Sequence, residues 1–277
     1  MAKYVAEGRG VTLVTCTAGE MGEVLVPGLE HLASDRDDAL GEHRRGELIA
    51  AMAELGVSDY RWLGGFGRYR DSGMKWADDG HATAADETDE RAFANADLEE
   101  AANLLVEVIR EVRPQVLVTY DQKGGYGHPD HVQAHRVATY AVALAADPSY
   151  RRDLGEPWDV AKVYWGAMSE GRMRAGLRAL RDAGDTTTFE GMDPEGPLPW
   201  TTPDEDLAAA VDATAHVTQK LDAMRAHASQ ITVDGPFFAL SNNVGDTVWG
   251  IEFFRLAKGT LGPVEDDGLE NDLFAGL

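Results

Sequence analysis

The chain has 277 residues, with 25 basic and 48 acidic side chains, a net charge of −23 and an isoelectric point near 4.6. Nucleic acid and anionic lipid both need a basic footprint, so both are disfavoured as partners. With 44% apolar residues and six Trp the chain can bury a core, which excludes disorder, and its length suits one large domain.

One cysteine cannot form an internal disulfide, so nothing points to an oxidising compartment. No apolar run reaches the ~18 residues of a membrane span. A soluble cytoplasmic protein is expected. Cys16 is expected to be a buried bystander thiol.

Residues 1–10 read as the last turns of a helix closed by Gly8, and 11–16 as a buried strand. A polar glycine loop follows at 18–23. A helix is predicted over 37–55, with Leu40, Leu48, Ile49, Met52 and Leu55 on one face and Gly56 as its stop. Residues 60–63 read as a short strand. Residues 64–89 are glycine-rich, then acid-rich, and show no periodicity. So long an irregular stretch is usually functional. Its acidic part, 78–90, reads as a solvated loop.

Asp97 with Glu100 is a variant of the capping box, and the helix it opens ends at Pro114. Residues 115–120 form a second buried strand. The glycine-rich loop 121–127 leads to His128-Pro129, and Pro at the first helical position predicts a helix to about Ala146. A strand at 160–166 and a helix at 168–183 follow. Residues 184–206 hold several Pro and acids and read as an irregular excursion. A final helix carries Lys220, Leu221, Met224 and His227. A late strand is placed at Val248 to Leu256, before an acidic tail at 265–272. Alternating strands and helices predict a Rossmann-like α/β domain over 1–277: a mostly parallel sheet with helices on both faces. Ligands in such sheets sit at the carboxyl ends of strands, where both glycine loops lie.

The densest chemical signal is 121–135, DQKGGYGHPDHVQAH. His128 and His131 are three apart, His131 and His135 four apart, so each pair can share a helix face. Histidine is the commonest zinc ligand, and open zinc sites use three protein ligands plus water.

GGYGHPDHVQAH resembles the second signature of the PIG-L/LmbE-like zinc N-deacetylases. Within that family the chain is most similar to the mycothiol-biosynthesis branch, which removes acetate from an N-acetylglucosaminyl-inositol. The stretches VTLVTCTAGEMGEV at 11–24, HRRGELIAA at 43–51, GRYRDSGM at 67–74, ALSNN at 239–243 and ENDLFAGL at 270–277 agree. The resemblance thus spans the chain. The sister branch, the mycothiol S-conjugate amidases, is expected to carry Pro where this chain has Gly127, and to lack the GRYRDSGM loop.

The resemblance implies one Zn2+ per subunit, with Fe2+ as an alternative, and His131 as a ligand. It implies His128 as the general acid, Asp130 as its orienting carboxylate and Tyr126 as the donor to the oxyanion. It implies contacts from Glu23, Arg44, Asp71 and Met74 to the sugar and inositol. The partner is a small amino-sugar conjugate, not nucleic acid or membrane. Lys220 and His227 to Gln230 resemble a recurrent family helix and are expected to pack and hydrogen-bond. His43, His81 and His216 read as bystanders.

One motif departs from the family. Its first signature, a His-Pro-Asp-Asp-Glu run after the first strand, supplies two more ligands and the aspartate base. This chain has one His-Pro, at 128. The expectation is a chain shortened at its N-terminus by roughly 20 residues, lacking the first strand. His131 alone cannot hold catalytic zinc, and replacement ligands such as His135 or Glu20 are not expected. As written, the chain is then expected to bind zinc poorly, to be inactive and to aggregate through an open sheet edge. A chain without this chemistry would be a polyol- or sugar-binding protein.

Overall fold

The computed structural model describes residues 1–78, 80–245 and 249–277. Helix α1 (Ala2–Ala6) and strand β1 (Thr12–Thr15) stand where the opening residues predict them. After an irregular loop come α2 (Leu40–Leu55) and β2 (Asp59–Trp62), and β2 runs parallel to β1. The stretch read as aperiodic holds a hairpin, β3 (Met74–Trp76) with β4 (Ala82–Ala84). Its strands have three residues each, too short to show an alternating pattern. Asp79, part of the acidic run, lies outside the described residues.

Helix α3 (Leu98–Val112) opens as the sequence predicts: the Asp97 carboxylate accepts from the Glu100 N–H at 2.8 Å. β5 (Val116–Thr119) and α4 (Pro129–Ala146) follow, then β6 (Lys162–Ala167) and α5 (Glu170–Asp182). Segment 184–206 is irregular apart from short 3-10 turns at Thr188–Gly191 and Asp204–Asp206. Trp200 Nε1 fastens it to the hairpin by donating to the Gly80 carbonyl at 2.9 Å. The chain finishes with β7 (Ala209–Asp212), α6 (Val217–Ala226), α7 (Pro236–Val244) and β8 (Ile251–Lys258). Sequence reading missed β7, whose two alanines and one aspartate have weak strand preference, and α7. Val248, the expected start of the last strand, lies outside the described residues.

The main sheet has the order β5-β6-β8-β7. β5 and β6 are parallel, whereas β8 runs antiparallel to both β6 and β7. The expectation of a mostly parallel sheet is therefore corrected to a mixed one. The chain leaves β7 and re-enters at β8 on the same end of the sheet, through α6 and α7, which makes the pair antiparallel. A parallel pair needs a crossover back to the far end. β1 and β2 form a separate ladder, and among the described residues no strand joins β1 to β5. Val118 of β5 is 48% exposed.

Side chains alternate across both ladders and fix the layers. Val14, Leu117 and Val163 point to the face covered by α3 and α4. Leu13 and Tyr60 point to α2 and α6 on the other face. Beyond them, Val116 and Tyr164 pack with Tyr4 of α1 and Leu273 of the tail. The Tyr4 hydroxyl donates to Asp272 Oδ1 at 3.0 Å and accepts from the Leu273 N–H at 2.9 Å, and its ring stands edge-on to Phe274. Under β6, Lys162 and Glu270 form a fully buried ion pair at 2.5 Å. No helix among the described residues is long and apolar enough to cross a membrane.

Candidate active site

The N-terminus of α4 delivers the first functional group. Pro129 needs no amide partner at the first helical turn, and His128 is the cap. The His128 Nδ1 accepts from the Asp130 N–H at 3.1 Å. A backbone N–H can only donate, so the imidazole proton sits on Nε2. That atom faces Asp71 Oδ1 at 3.7 Å, beyond a hydrogen bond.

Asp130 follows within the first turn and is 6% exposed. Its carboxylate accepts from the Ser72 N–H at 2.9 Å, from the Ser72 hydroxyl and from the Ala94 N–H at 3.0 Å. Burial pushes it up to about 6, against the Ser72 hydrogen bonds that hold it down. The carboxylate thus ties α4 to the segment 71–73, while the residue's own N–H orients His128.

His131 Nδ1 lies 3.2 Å from the Gly124 carbonyl. That oxygen can only accept, so Nδ1 carries the proton and the Nε2 lone pair is available. Metal-ligating histidines are held in this way. Burial, with His128 alongside, pushes His131 down to about 4, so the ring is neutral near pH 7. It stacks on Tyr120 with centroids 4.0 Å apart. His135 makes the same kind of contact, Nδ1 to the Tyr120 carbonyl at 3.0 Å.

Tyr126 stands edge-on to His131, centroids 5.1 Å apart. Burial pushes its hydroxyl up to about 12, so it remains a donor. Its carbonyl accepts from the Ala82 N–H at 2.8 Å, which docks the hairpin on the loop. Gly127 makes that docking possible: it has φ +103°, and a Cβ there would lie 2.5 Å from the Ala82 oxygen.

Asp71, His128 and Asp130 offer ligand atoms that lie within 4.8 Å of one another. One imidazole nitrogen and two carboxylate oxygens suit a divalent ion such as zinc or iron. The grouping therefore suits a divalent metal, but with its proton on Nε2 His128 has no lone pair to give, and the free imidazole nitrogen is that of His131, whose ring centroid lies 5.0 Å from that of His128.

The other expected residues divide. Glu23 is exposed, and its carbonyl accepts from Arg44 Nη2 at 3.1 Å. Arg44 is 8% exposed and turned to the backbone of the loop 19–23. Met74 opens the hairpin strand β3. Sequence reading missed Ser72, and weighed Glu20 only as an unlikely ligand. Glu20 is buried, and its Oε2 accepts from the Asp71 N–H at 3.0 Å and the Ala18 N–H at 3.2 Å. The Asp-Ser-Gly run at 71–73 was the available signal, since Asp71 caps its own turn through the Gly73 N–H at 2.8 Å. Cys16 is half-buried, and desolvation pushes its thiol up to about 12, so it stays protonated near pH 7.

Residues 1–142 match the family model described as PIG-L, GlcNAc-PI de-N-acetylase. A 1D-myo-inositol 2-acetamido-2-deoxy-alpha-D-glucopyranoside deacetylase of a Nocardioides species is 76% identical over 278 aligned positions, covering all of this chain and 92% of that protein. Among solved structures, the N,N'-diacetylchitobiose deacetylase from Pyrococcus horikoshii superposes with a TM-score of 0.57 at 20% identity, over 93% of this chain and 76% of that one. GalB, a 4-carboxy-2-hydroxymuconate hydratase from Pseudomonas putida, gives 0.56 at 16% identity, over 95% of this chain and 90% of that one. Structural likeness at these identities speaks for the fold alone, since a hydratase shares it. Family model and near relative together carry the assignment: the chain belongs to the PIG-L family of GlcNAc-PI de-N-acetylases.

Proposed function

We infer that the protein is a metal-dependent amidohydrolase that removes the N-acetyl group of an N-acetylglucosaminyl-inositol. Water adds to the amide carbonyl, the C–N bond breaks, and acetate and the free amine leave. The observation that carries this reading is the Asp71–His128–Asp130 cluster, within a chain that is 76% identical to a deacetylase of that substrate.

The metal is one Zn2+ per chain, with His131 among its ligands and Fe2+ as the alternative; lacking the His-Pro-Asp-Asp-Glu run, these 277 residues are expected to hold it poorly and to show little activity. When bound, such an ion polarises the carbonyl and makes a water acidic. The chain supplies the rest. His128 keeps a proton on Nε2 and delivers it to the departing nitrogen, held in place by the Asp130 N–H. Tyr126, protonated throughout the neutral range, donates to the developing oxyanion. Glu23 on the loop after β1, and Asp71 with Met74 on the stretch before the hairpin, face the substrate, the two carboxylates accepting from sugar and inositol hydroxyls and Met74 packing against the ring. No nucleic acid or membrane takes part, and the cytoplasm is the expected compartment.

Acetate release from N-acetylglucosaminyl-inositol by zinc-loaded protein tests the reading. Release that a chelator abolishes and zinc restores supports it. No release from protein holding one equivalent of zinc overturns it. Faster cleavage of a mycothiol S-conjugate than of the acetyl substrate would shift the assignment to the amidase branch.

A further inference from the structure

The loop 17–29 carries Glu20 and Glu23, yet it has little secondary structure to hold it. Its own contribution is slight: turns from the Gly22 N–H to the Gly19 carbonyl at 3.1 Å and from the Leu29 N–H to the Val26 carbonyl at 3.2 Å, and a bond from the Ala18 N–H to the Glu20 carboxylate at 3.2 Å. What fixes it lies in α2 and in the segment after α6.

The loop wraps around the Arg44 guanidinium. Nη1 donates to the Gly19 carbonyl at 2.6 Å and Nη2 to the Glu23 carbonyl at 3.1 Å. The fit is close enough that a Cβ at Gly19 or Gly22 would collide with Nη1. Arg44 is in turn held by Ser229, whose hydroxyl accepts from Nε at 3.1 Å. Ser229 is wholly buried and uses every polar atom it has. Its N–H and its hydroxyl donate to the two oxygens of Glu47, each at 2.7 Å. Its carbonyl accepts from the Leu25 N–H of the loop at 2.9 Å. Glu47 is itself 8% exposed, and its charge is settled by Ser229, by Arg44 close by and by His43, whose Nε2 lies 3.5 Å from Oε1.

We propose that Ser229 and Glu47 are positioning residues for substrate binding, which clip Arg44 so that it holds the loop 18–25 at the site. Continuity to the chemistry is direct. Glu20, on that loop, accepts from the Asp71 N–H, and Asp71 faces His128. Neither Ser229 nor Glu47 touches the groups that react. A bidentate serine–carboxylate clamp on one side and a guanidinium fork on the other leave the loop one arrangement, and binding contacts need that order. The apolar stripe of α2 hides the device, because Arg44 and Glu47 are three apart on its buried face.

Replacement of Ser229 by Ala keeps the backbone bonds and removes the hydroxyl. The expected result is a KM raised about tenfold with kcat changed less than about threefold, the pattern of lost ground-state positioning. Amides of residues 18–25 should exchange with deuterium faster, while α3 and α4 keep their protection. Ser229→Thr, which restores the hydroxyl, should return both readouts toward wild type. Unchanged exchange at 18–25 in Ser229→Ala overturns the proposal, and so does a fall in kcat with KM intact. Only the kinetic arm rests on the deacetylase reading. If wild type releases no acetate while Ser229→Ala still loosens 18–25, that reading fails and the clip stands. Should Ser229→Ala not fold, Glu47→Gln, which keeps the shape and removes the charge, is expected to shift both readouts in the same direction.

Discussion

Lys162 with Glu270 and His128 with Asp71 are both charged or chargeable pairs taken out of water, and they are built differently. Lys162 Nζ donates to Glu270 Oε1 at 2.5 Å and to the Ala275 carbonyl at 2.7 Å. The same carboxylate accepts from the Tyr164 hydroxyl and from the Gly262 N–H. Lys162 is 2% exposed and Glu270 0%. Around His128, by contrast, Nε2 stands 3.7 Å from Asp71 Oδ1, and the Nε2 of His131 lies across the ring from the Nδ1 that bonds the Gly124 carbonyl. A closed set of partners holds structure, whereas donors and acceptors left short of a partner wait for a ligand. Arg110 belongs with the first kind: its guanidinium donates to three carbonyls at the end of α4 and to those of Arg151 and Gly155 beyond it, and leaves nothing over.

The contrast breaks if function and stability fail to separate on mutation. His128→Ala should lower kcat by ~10³-fold, within the range of a lost general acid. Its melting temperature should stay near wild type, since His128 contributes one backbone bond. Retained activity in steady-state assays would remove His128 from the chemistry. Glu270→Ala should do the converse. It leaves the Lys162 charge buried and unpaired, a loss of about 3–5 kcal/mol on denaturant titration, with kcat per folded molecule unchanged. Full stability in that variant would show that the cluster is not closed. Tyr126→Phe should lower kcat by ~10²-fold through loss of one oxyanion donor, with little change in KM.

The smallest effect lies in the pH dependence of stability. Asp130 is raised from 3.8 to about 6, so its contribution is full below pH 3.8 and is lost as pH rises through 6. His131 is lowered from 6.5 to about 4, so its contribution is full above pH 6.5 and is lost as pH falls through 4. Between those limits the two run in opposite senses and offset. Asp130→Asn should therefore make stability rise with pH across this window, and His131→Gln should make it fall, each by about 2 kcal/mol. Parallel slopes in the two variants would refute the assignment.

Much of this was legible in the sequence where the signal is local. The glycine loop, the proline and the paired histidines of 124–131 announced a strand-to-helix turn bearing ligands, and the structure has that turn. Asp97 announced a helix start three residues before the bond it makes. Where partners lie far apart in sequence, the reading failed. Ile49 was placed on the core face of α2 and is 45% exposed, while Arg44 and Glu47 are buried. Their burial depends on Ser229, 182 residues beyond Glu47, which no periodicity can reveal. Ser72 was unremarkable until Asp130 was found 58 residues on, bound to its hydroxyl. Strand direction was equally hidden, because the apolar pattern of β8 reads the same whichever way it runs.

The clasp between Tyr4 and residues 272–274 has a consequence for synthesis. Tyr4 stands on α1 and is held by the tail. Its anchors emerge from the ribosome some 268 residues later. Until then Tyr4 lacks its partners in the tail, and its docking over Val116 and Tyr164 is among the late events of folding. A nascent chain stalled at residue 260 should be clipped within 1–10, and release of the finished chain should end that sensitivity.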